Sequence, residues 1–233
     1  MANAADLPVK GYTTAPALAA LYDWSGFYIG LNGGGASSHK CWTIFSNNNL
    51  PVGPAPEGCH DATGVLVGGQ AGYRWQFTNW VFGLEAQGDW ANLKGSNPNA
   101  AVLTPATNQT RIDAIGLFTG QVGYAWSNVL WYAKGGAAAV SDKYSTFFTA
   151  TNVVYNEARE TRWGAVVGTG IEFGFAPNWS VALEYDHLFM GSKDLTFPAS
   201  AVAVTRSDSI RQDVDMGTIR VNYRFGGLGA ARY

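Results

Sequence analysis

Eight segments of the chain alternate between apolar and polar residues at a period of two, the pattern of a β-strand whose two faces meet different surroundings. Few stretches show the competing helical period. The alternating segments therefore predict an all-β chain with eight strands. They lie near residues 26–36, 63–76, 80–92, 111–125, 129–140, 161–175, 179–190 and 213–225.

The connections between these segments alternate strictly in length. Tight turns lie at residues 77–79, 126–128 and 176–178, and long polar stretches lie at residues 37–62, 93–110, 141–160 and 191–212. In an up-and-down barrel this order puts every tight turn at one rim and every long loop at the other, as in outer-membrane barrels. A Greek-key sandwich gives no reason for such regularity. The order predicts an eight-stranded antiparallel up-and-down transmembrane β-barrel.

Composition excludes several other classes of protein. Charged residues make up 14% of the chain, well below the roughly 25% of typical soluble domains. A net charge of -2 gives no electrostatic basis for binding nucleic acid. No run of about 18 apolar residues exists, which excludes a helical membrane span. With 47% hydrophobic residues, intrinsic disorder is also excluded.

Bulky aromatic residues gather on the apolar face of the strands, at the ends next to the tight turns. Rings at one level around the outside of a barrel form an interfacial girdle in the lipid headgroup region. A soluble, lipocalin-like barrel is the alternative, but its core would not need rings at one level. The predicted girdle comprises Phe27, Trp75, Phe77, Trp80, Phe82, Tyr124, Trp131, Phe173, Phe175, Trp179, Tyr223 and Phe225.

The opposite face of the strands is polar and rich in glycine, as expected of a narrow lumen. Eight strands leave an interior that side chains can fill. Buried charges require partners, so the balanced acids and bases of this face predict a lumen filled by ion pairs, with little or no open conductance. The predicted network comprises Glu85, Asp89, Asp113, Glu172, Glu184, Asp186, Arg74, Arg111, Lys134, Arg162, Arg220 and Arg224.

The two cysteines, Cys41 and Cys59, lie in the first long polar stretch. A pair confined to one surface loop predicts a disulfide formed in an oxidising compartment. Zinc binding by Cys41, Cys59, His39 and His60 is the alternative, although their spacing matches no zinc motif.

The ends of the chain suggest an exported protein. Residues 2–4, Ala-Asn-Ala, read as a signal-peptide cleavage site; an ordinary alanine-rich start is the alternative. We expect residues 1–25 to form an extended N-terminal leader on the periplasmic side, residues 26–225 the barrel, and residues 226–233 a C-terminal extension.

Several strands resemble one known family. Residues 24–34, WSGFYIGLNGG, resemble the first strand of the small outer-membrane β-barrels of alphaproteobacteria, often called porin-family or immunogenic outer-membrane proteins. Residues 5–9, 68–76 (GGQAGYRWQ), 82–86 and 217–225 (GTIRVNYRF) are similar to its mature N-terminus and to its second, third and closing strands. The resemblance implies the outer membrane of a Gram-negative bacterium, a role in envelope integrity and host contact, and haem binding in some members.

The family's closing strand usually ends the chain on a phenylalanine that signals to the outer-membrane assembly machinery. Here eight residues follow Phe225. Either Phe225 or Tyr233 carries the signal, and Phe225 is favoured because the apolar face of its strand leads into it. The expected partners are outer-membrane lipids and lipopolysaccharide, this machinery, and other envelope or host proteins.

The sequence predicts no enzyme, because no nucleophile shares an inward face with its base and the lumen carboxylates are expected to pair with cations. The predicted function is structural, with an envelope-integrity and surface-contact role. One alternative is a narrow small-solute porin. The other is haem or ligand binding by the first loop through His39 and His60, set against a solvated loop pinned by its disulfide.

Overall fold

The computed structural model describes residues 22–98, 106–151, 154–197 and 204–225. The residues before 22 and after 225, where most of the leader and the C-terminal extension were predicted, lie outside this description. The described residues form eight strands, numbered in chain order: β1 (Gly26–Asn47), β2 (Leu50–Phe77), β3 (Trp80–Pro98), β4 (Ala106–Trp126), β5 (Val129–Phe148), β6 (Val154–Ala176), β7 (Trp179–Phe197) and β8 (Arg206–Arg224).

Each strand pairs antiparallel with the next, and β8 pairs with β1, which closes the barrel. This arrangement confirms the predicted all-β, up-and-down fold. Two-residue turns at 78–79, 127–128 and 177–178 join the strands at one end, which we call the turn rim; the opposite end is the far rim. No helix in the described part of the chain is long and apolar enough to cross a membrane.

The strands are staggered around the ring. A line of pairings that starts at Ile29 on β1 and passes through all other strands returns to β1 at His39, ten residues farther along. The line runs through Ala71, Ala86, Phe118, Ala137, Ala165, Phe189 and Asp213. A stagger of this kind requires the strands to tilt by roughly 35–45° from the barrel axis. Each partner along the line therefore lies closer to the far rim than the one before it.

The long loops predicted at the far rim are mostly strand instead. β1 continues to Asn47 and β2 begins at Leu50, so only Asn48 and Asn49 connect them. Both have positive φ angles, 51° and 60°, which suits the tight turn of a two-residue hairpin. Two features explain why the sequence pattern did not predict these extensions as strands. Their outer face is polar because it lies beyond the apolar part of the wall, and bulges shift the phase of the alternation, as between Trp42 and Thr43.

The predicted aromatic girdle lies on the outer face of the barrel. Ten of its twelve side chains are exposed, and Tyr124 and Tyr223 are half-buried. Neighbouring strands bring several rings together, as with Phe27 and Phe225, whose ring centroids are 5.6 Å apart.

A second level of exposed rings, which the sequence analysis did not predict, lies nearer the far rim. Trp90 is ten residues beyond Trp80 on β3, and Phe189 is ten residues beyond Trp179 on β7. On β6, Trp163 stands at the same interval from Phe173. Since about 9–11 residues of a tilted strand cross a membrane, the two levels mark the edges of an apolar belt. The strands extend beyond this belt at the far rim.

Candidate functional site

The turn-rim mouth of the lumen is filled by the segment that precedes β1. Trp24 is buried in a cluster with Val81, Ala125, Leu130 and Tyr132. Its backbone N–H donates to Gln76 Oε1 over 2.8 Å, which fixes the chain as it enters the barrel. The residues just before the first strand therefore close this end of the bore.

Tyr22 packs against the same cluster at the turn-rim mouth. Its ring lies 2.4 Å from where a Cβ of Gly174 would stand, so a larger residue at this position of β6 would require Tyr22 to move.

Above this closure lies a layer of buried ion pairs. The guanidinium of Arg74 on β2 lies 2.9 Å from the carboxylate of Glu172 on β6, across the bore. The same guanidinium stands over the rings of Tyr28, at 4.5 Å, and Tyr132, at 5.5 Å. Because both charged side chains are almost completely buried, each depends on the other for stabilisation.

Arg220 on β8 extends this layer. One of its guanidinium nitrogens lies 2.5 Å from Glu85 on β3, and the other contacts Glu184 on β7. The hydroxyls of Tyr28 and Tyr132 donate to Glu85 and Glu184 respectively, each over 2.6 Å. The tyrosines thereby satisfy lone pairs that the arginine leaves available.

Lys134 on β5 lies among three of the carboxylates. Its ammonium is 2.7 Å from Glu184, 3.2 Å from Asp186 and 3.8 Å from Glu85. Asp89 is buried in the same wall, where it accepts a hydrogen bond from Gln87 over 2.9 Å. No cation in the described part of the chain forms a salt bridge with Asp89.

An apolar layer follows on the far-rim side of the ion pairs. It is made of inward-facing aliphatic side chains, methionines and alanines contributed by all eight strands. The bore therefore holds two layers of opposite chemistry, one ionic and one apolar. The apolar layer comprises Ala36, Ala62, Leu66, Ala91, Leu93, Ile112, Ile115, Leu117, Ala138, Val140, Val166, Leu188, Met190, Val214 and Met216.

Beyond the apolar belt the interior becomes mixed again. Trp42 packs with Tyr144, Leu195, Phe197 and Ile210, and its ring stacks on that of Phe197 with centroids 5.9 Å apart. This part of the interior lies in stretches predicted as loops, so the sequence analysis missed it.

Three buried ion pairs of this far-rim interior were not predicted either. Lys40 contacts Asp142 over 2.5 Å. Arg206 contacts Glu57 over 2.5 Å and donates to Asp208 over 2.9 Å. Burial raises the pKa of Asp208 to about 6; Arg206 opposes this shift, and the charge of Glu57 adds to it.

Seven of the predicted lumen residues lie together in the ion-pair layer: Arg74, Glu85, Lys134, Glu172, Glu184, Asp186 and Arg220. Asp89 shares the layer without an ion pair. Arg162 is buried in the bore nearer the far rim, where it donates to the backbone carbonyl of Ile210 over 2.7 Å and forms no salt bridge with a carboxylate of the described residues.

The prediction that Arg111 and Asp113 face the lumen is wrong. They pair with each other over 2.5 Å on the outer face of β4, with about half of each side chain exposed. A bulge between Ile112 and Ala114 shifts the phase of the strand. Residues 111 and 113 therefore point outward even though Ile115, of the same parity, points inward.

Arg224 was also assigned to the lumen network, and this is wrong as well. Its guanidinium lies at the turn rim, where it donates to the backbone carbonyls of Ser25 and Pro177 over 3.1 and 2.9 Å. Asp23 is 3.9 Å away. Because β8 ends at this residue, the side chain reaches the rim and ties it to the segment before β1.

The structure confirms the predicted disulfide between Cys41 and Cys59. The two residues are direct partners in the pairing of β1 with β2, so the bond joins two strands where a loop was expected. Both sulfurs are used in the bond, which removes the alternative of a zinc site.

The two histidines proposed for haem lie on opposite faces of the barrel wall, so the prediction that they act together is wrong. His39 is exposed on the outside. His60 is buried inside, within hydrogen-bond distance of Asn97 (2.8 Å) and Thr110 (3.1 Å). Burial lowers the pKa of His60. His60 is adjacent to Asp61, the pairing partner of His39, and successive residues of a strand point to opposite faces. One haem iron therefore cannot reach both rings.

Comparisons with known proteins agree with this architecture. Residues 11–225 match the family model described as the outer membrane protein beta-barrel domain. The 31 kDa outer-membrane immunogenic protein of Brucella melitensis is 30% identical over 238 residues, covering 96% of this chain and 93% of the relative. The protein of that name in Brucella suis matches to the same extent.

Two solved structures share the fold at low sequence identity. The outer membrane protein OprG of Pseudomonas aeruginosa aligns with a TM-score of 0.53 and 11% identity, covering 86% of this chain and 97% of that one. The outer membrane protease OmpT of Escherichia coli aligns with a TM-score of 0.52 and 8% identity, with the same coverage. At such identities the likeness concerns the fold alone.

Proposed function

The chain belongs to the outer membrane protein β-barrel domain family, and we propose that it serves the Gram-negative outer membrane as a closed structural barrel that presents a surface to the exterior. Its location in that membrane follows from the family and from the Brucella relatives. The proposal concerns what the barrel does there: it contributes to envelope integrity and surface contact, and it does not conduct solutes.

The observation that carries the proposal is the ion pair between Arg74 and Glu172, which spans the bore between strands on opposite sides of the ring. A solute would have to separate these charges and leave each one buried without its partner. Removing one member of a buried pair typically costs about 3–5 kcal/mol. Beyond the pair, the solute would meet the apolar layer, which offers an ion or sugar no polar partner.

The far-rim extensions support the surface-contact part of the proposal. The β1–β2 hairpin runs well past the apolar belt, and its tip exposes Leu50 and Val52. Apolar side chains that are exposed outside the membrane are candidates for contact with other molecules. We propose other envelope or host proteins as the partners of this surface.

Lipids and lipopolysaccharide are the proposed partners of the belt and of the polar wall above it. The assembly machinery is the proposed partner of the closing strand. Phe225 supports the latter, since its backbone N–H donates to Phe27 O over 2.9 Å at the seam where the barrel closes.

We propose no acid–base chemistry for the lumen carboxylates. Glu85, Glu172 and Glu184 are each engaged by an arginine or lysine, and the closed bore gives a substrate no access to them. A general acid or base must come within hydrogen-bond reach of its substrate, so the burial of these carboxylates supports a non-enzymatic role.

Conductance measurements test the proposal. The purified protein, inserted into planar bilayers, should give no steady single-channel steps, and vesicles that contain it should retain a small entrapped dye. Heat-modifiable mobility on gels, measured on the same vesicles, establishes that the barrel is folded. Steady steps whose number rises with the amount of folded protein would support the porin alternative instead.

A further inference from the structure

The exposed disulfide lies beside a histidine that a carboxylate orients. On the outer face of β1, His39 Nε2 lies 3.5 Å from Cys41 Sγ. The other ring nitrogen, Nδ1, lies 2.6 Å from the carboxylate of Asp61 on β2. Asp61, His39 and Cys41 thus form a continuous chain of contacts that ends at the disulfide.

This group lies outside the membrane. Along the line of pairings, Phe189 at the far edge of the belt is followed by Asp213, His39 and Asp61. The tilt of the strands places each of these closer to the far rim than the last. The side chains of His39 and Asp61 are each 60% exposed, so solutes in the surrounding water can reach them.

The two sulfurs of the disulfide have different surroundings. Cys59 is exposed, whereas Cys41 is half-buried. Cys41 has the imidazole of His39 on its own strand, with Nε2 3.5 Å from the sulfur. Positive charge and hydrogen-bond donors close to a sulfur stabilise its thiolate. Cys41 is therefore the better leaving group, and Cys59 is the sulfur that a nucleophile reaches.

We propose that the Cys41–Cys59 disulfide is a thiol-exchange site for low-molecular-weight thiols outside the cell, with His39 as the proton donor. The thiolate of the small molecule attacks Cys59 Sγ and forms a mixed disulfide as the bond to Cys41 breaks. The electron pair of that bond passes to Cys41 Sγ, which takes a proton from His39 Nε2.

A second small thiol completes the exchange. It attacks the sulfur of the bound small molecule, forms the small-molecule disulfide and releases Cys59 as a thiol. Two small thiols have then been oxidised and the protein disulfide reduced, so both electrons and protons balance. The rate of such exchange rises when the leaving thiolate is stabilised. Asp61 is a positioning residue, which holds the imidazole with Nε2 towards the sulfur.

Glutathione is the probe for the test, applied to the folded, oxidised protein in detergent between pH 6 and 9. The readout is the appearance of cysteine thiols by maleimide labelling. At pH 6–7 the His39→Gln variant should be reduced about tenfold more slowly than the unchanged protein. This rate factor is smaller than the 10²–10⁴-fold contribution typical of a general acid, because His39 is exposed.

The charged groups around His39 determine the controls. Asp61 faces it from β2, and Asp213 and Arg211 face it from β8. Asp61→Asn should also slow the reduction, because the imidazole loses the carboxylate that holds Nε2 towards the sulfur. His187→Gln removes the other outer-face histidine with a carboxylate partner, Asp215 at 2.7 Å, and should leave the reduction rate unchanged.

Peptide mapping after an acid quench adds a second readout, which does not depend on rates. Glutathione should be found on Cys59. Equal reduction rates for the unchanged protein and His39→Gln at pH 6–7, or glutathione found on Cys41, would overturn the proposal. Heat-modifiable mobility shows that each variant retains the barrel.

Discussion

Arg74 and Glu172 meet across the bore of the barrel, 2.9 Å apart, although their strands, β2 and β6, stand on opposite sides of the eight-membered ring. An arginine side chain is long enough to cross a narrow lumen, and the guanidinium presents a planar set of donors to a carboxylate. This contact links opposite walls that share no backbone hydrogen bonds.

We expect Arg74→Met to destabilise the folded barrel by about 3–5 kcal/mol, the usual cost of leaving a buried charge without its partner. The double variant Arg74→Met, Glu172→Gln should cost less than the sum of the two single changes, because it leaves no unpaired charge. Urea unfolding in lipid vesicles, followed by tryptophan fluorescence, measures all three. Strictly additive costs would show that the two side chains do not depend on each other.

The belt predicts where a charge is tolerated along a single strand. Leu84 lies on the outer face of β3 between Trp80 and Trp90 and is 61% exposed. An arginine at the bilayer midplane costs about 2–4 kcal/mol and one near or beyond the interface about 0–1 kcal/mol. Leu84→Arg should therefore destabilise the barrel in vesicles.

Ser96→Arg is the matched control for this change. Ser96 points outward from the same strand beyond the belt, so its replacement should have little effect. If urea unfolding gave equal losses for the two variants, the belt would not lie between the two levels of aromatic rings.

The disulfide is expected to stabilise the far-rim hairpin. Cys41 and Cys59 are separated by 18 positions, and closing a loop of that size is worth about 3 kcal/mol in the chain-entropy model. In the Cys41→Ser, Cys59→Ser variant, amide exchange should accelerate in residues 43–57 and stay unchanged within the belt, because the loss is local. Uniform acceleration along the barrel would contradict a local role.

The stability of the far-rim interior should depend on pH through Asp208. Its pKa is raised to about 6 in the folded protein, so the folded state binds a proton more tightly than the unfolded chain does. The stability that Asp208 contributes is therefore greatest below the unfolded pKa of about 3.9. This contribution is lost as the pH rises through 6. We expect slower amide exchange around residue 208, after correction for the intrinsic rate, at pH 5 than at pH 7.5.

Asp208→Asn removes the titrating group and serves as the control for this pH dependence. The corrected exchange difference between pH 5 and 7.5 should vanish in that variant. A difference that persists would assign the pH dependence to another group.

The alternation of apolar and polar residues was sufficient to predict which face of each strand points to lipid and which to the lumen within the membrane. Trp80, Leu84 and Trp90 have one parity, and Glu85 and Asp89 have the other. The lipid on one side and the narrow lumen on the other require different side chains there. The same logic fails beyond the belt, where the outer face is polar and the inner face is mixed, so the extended strands resemble loops in the sequence.

Bulges account for the errors in individual residues. Arg111 and Asp113 are predicted to face the lumen with the other charges of the polar face, but the bulge between Ile112 and Ala114 shifts the phase of the strand and they point outward. A bulge inserts one residue without an obvious sequence signal, so parity cannot be carried across it. His39 and His60 were grouped by closeness in the chain, whereas the pairing of β1 with β2 places them on opposite faces.

The chain alone predicts the number and order of the strands, the girdle next to the tight turns, the disulfide and most of the residues that line the lumen. These follow from local alternation and from the lengths of connections. The tertiary structure was needed to show which charges meet, as with Lys40 and Asp142, which are 102 positions apart. It also placed His39 and Asp61 beside the disulfide. Such contacts depend on the stagger of a closed ring, and the stagger is fixed when all eight strands pair at once.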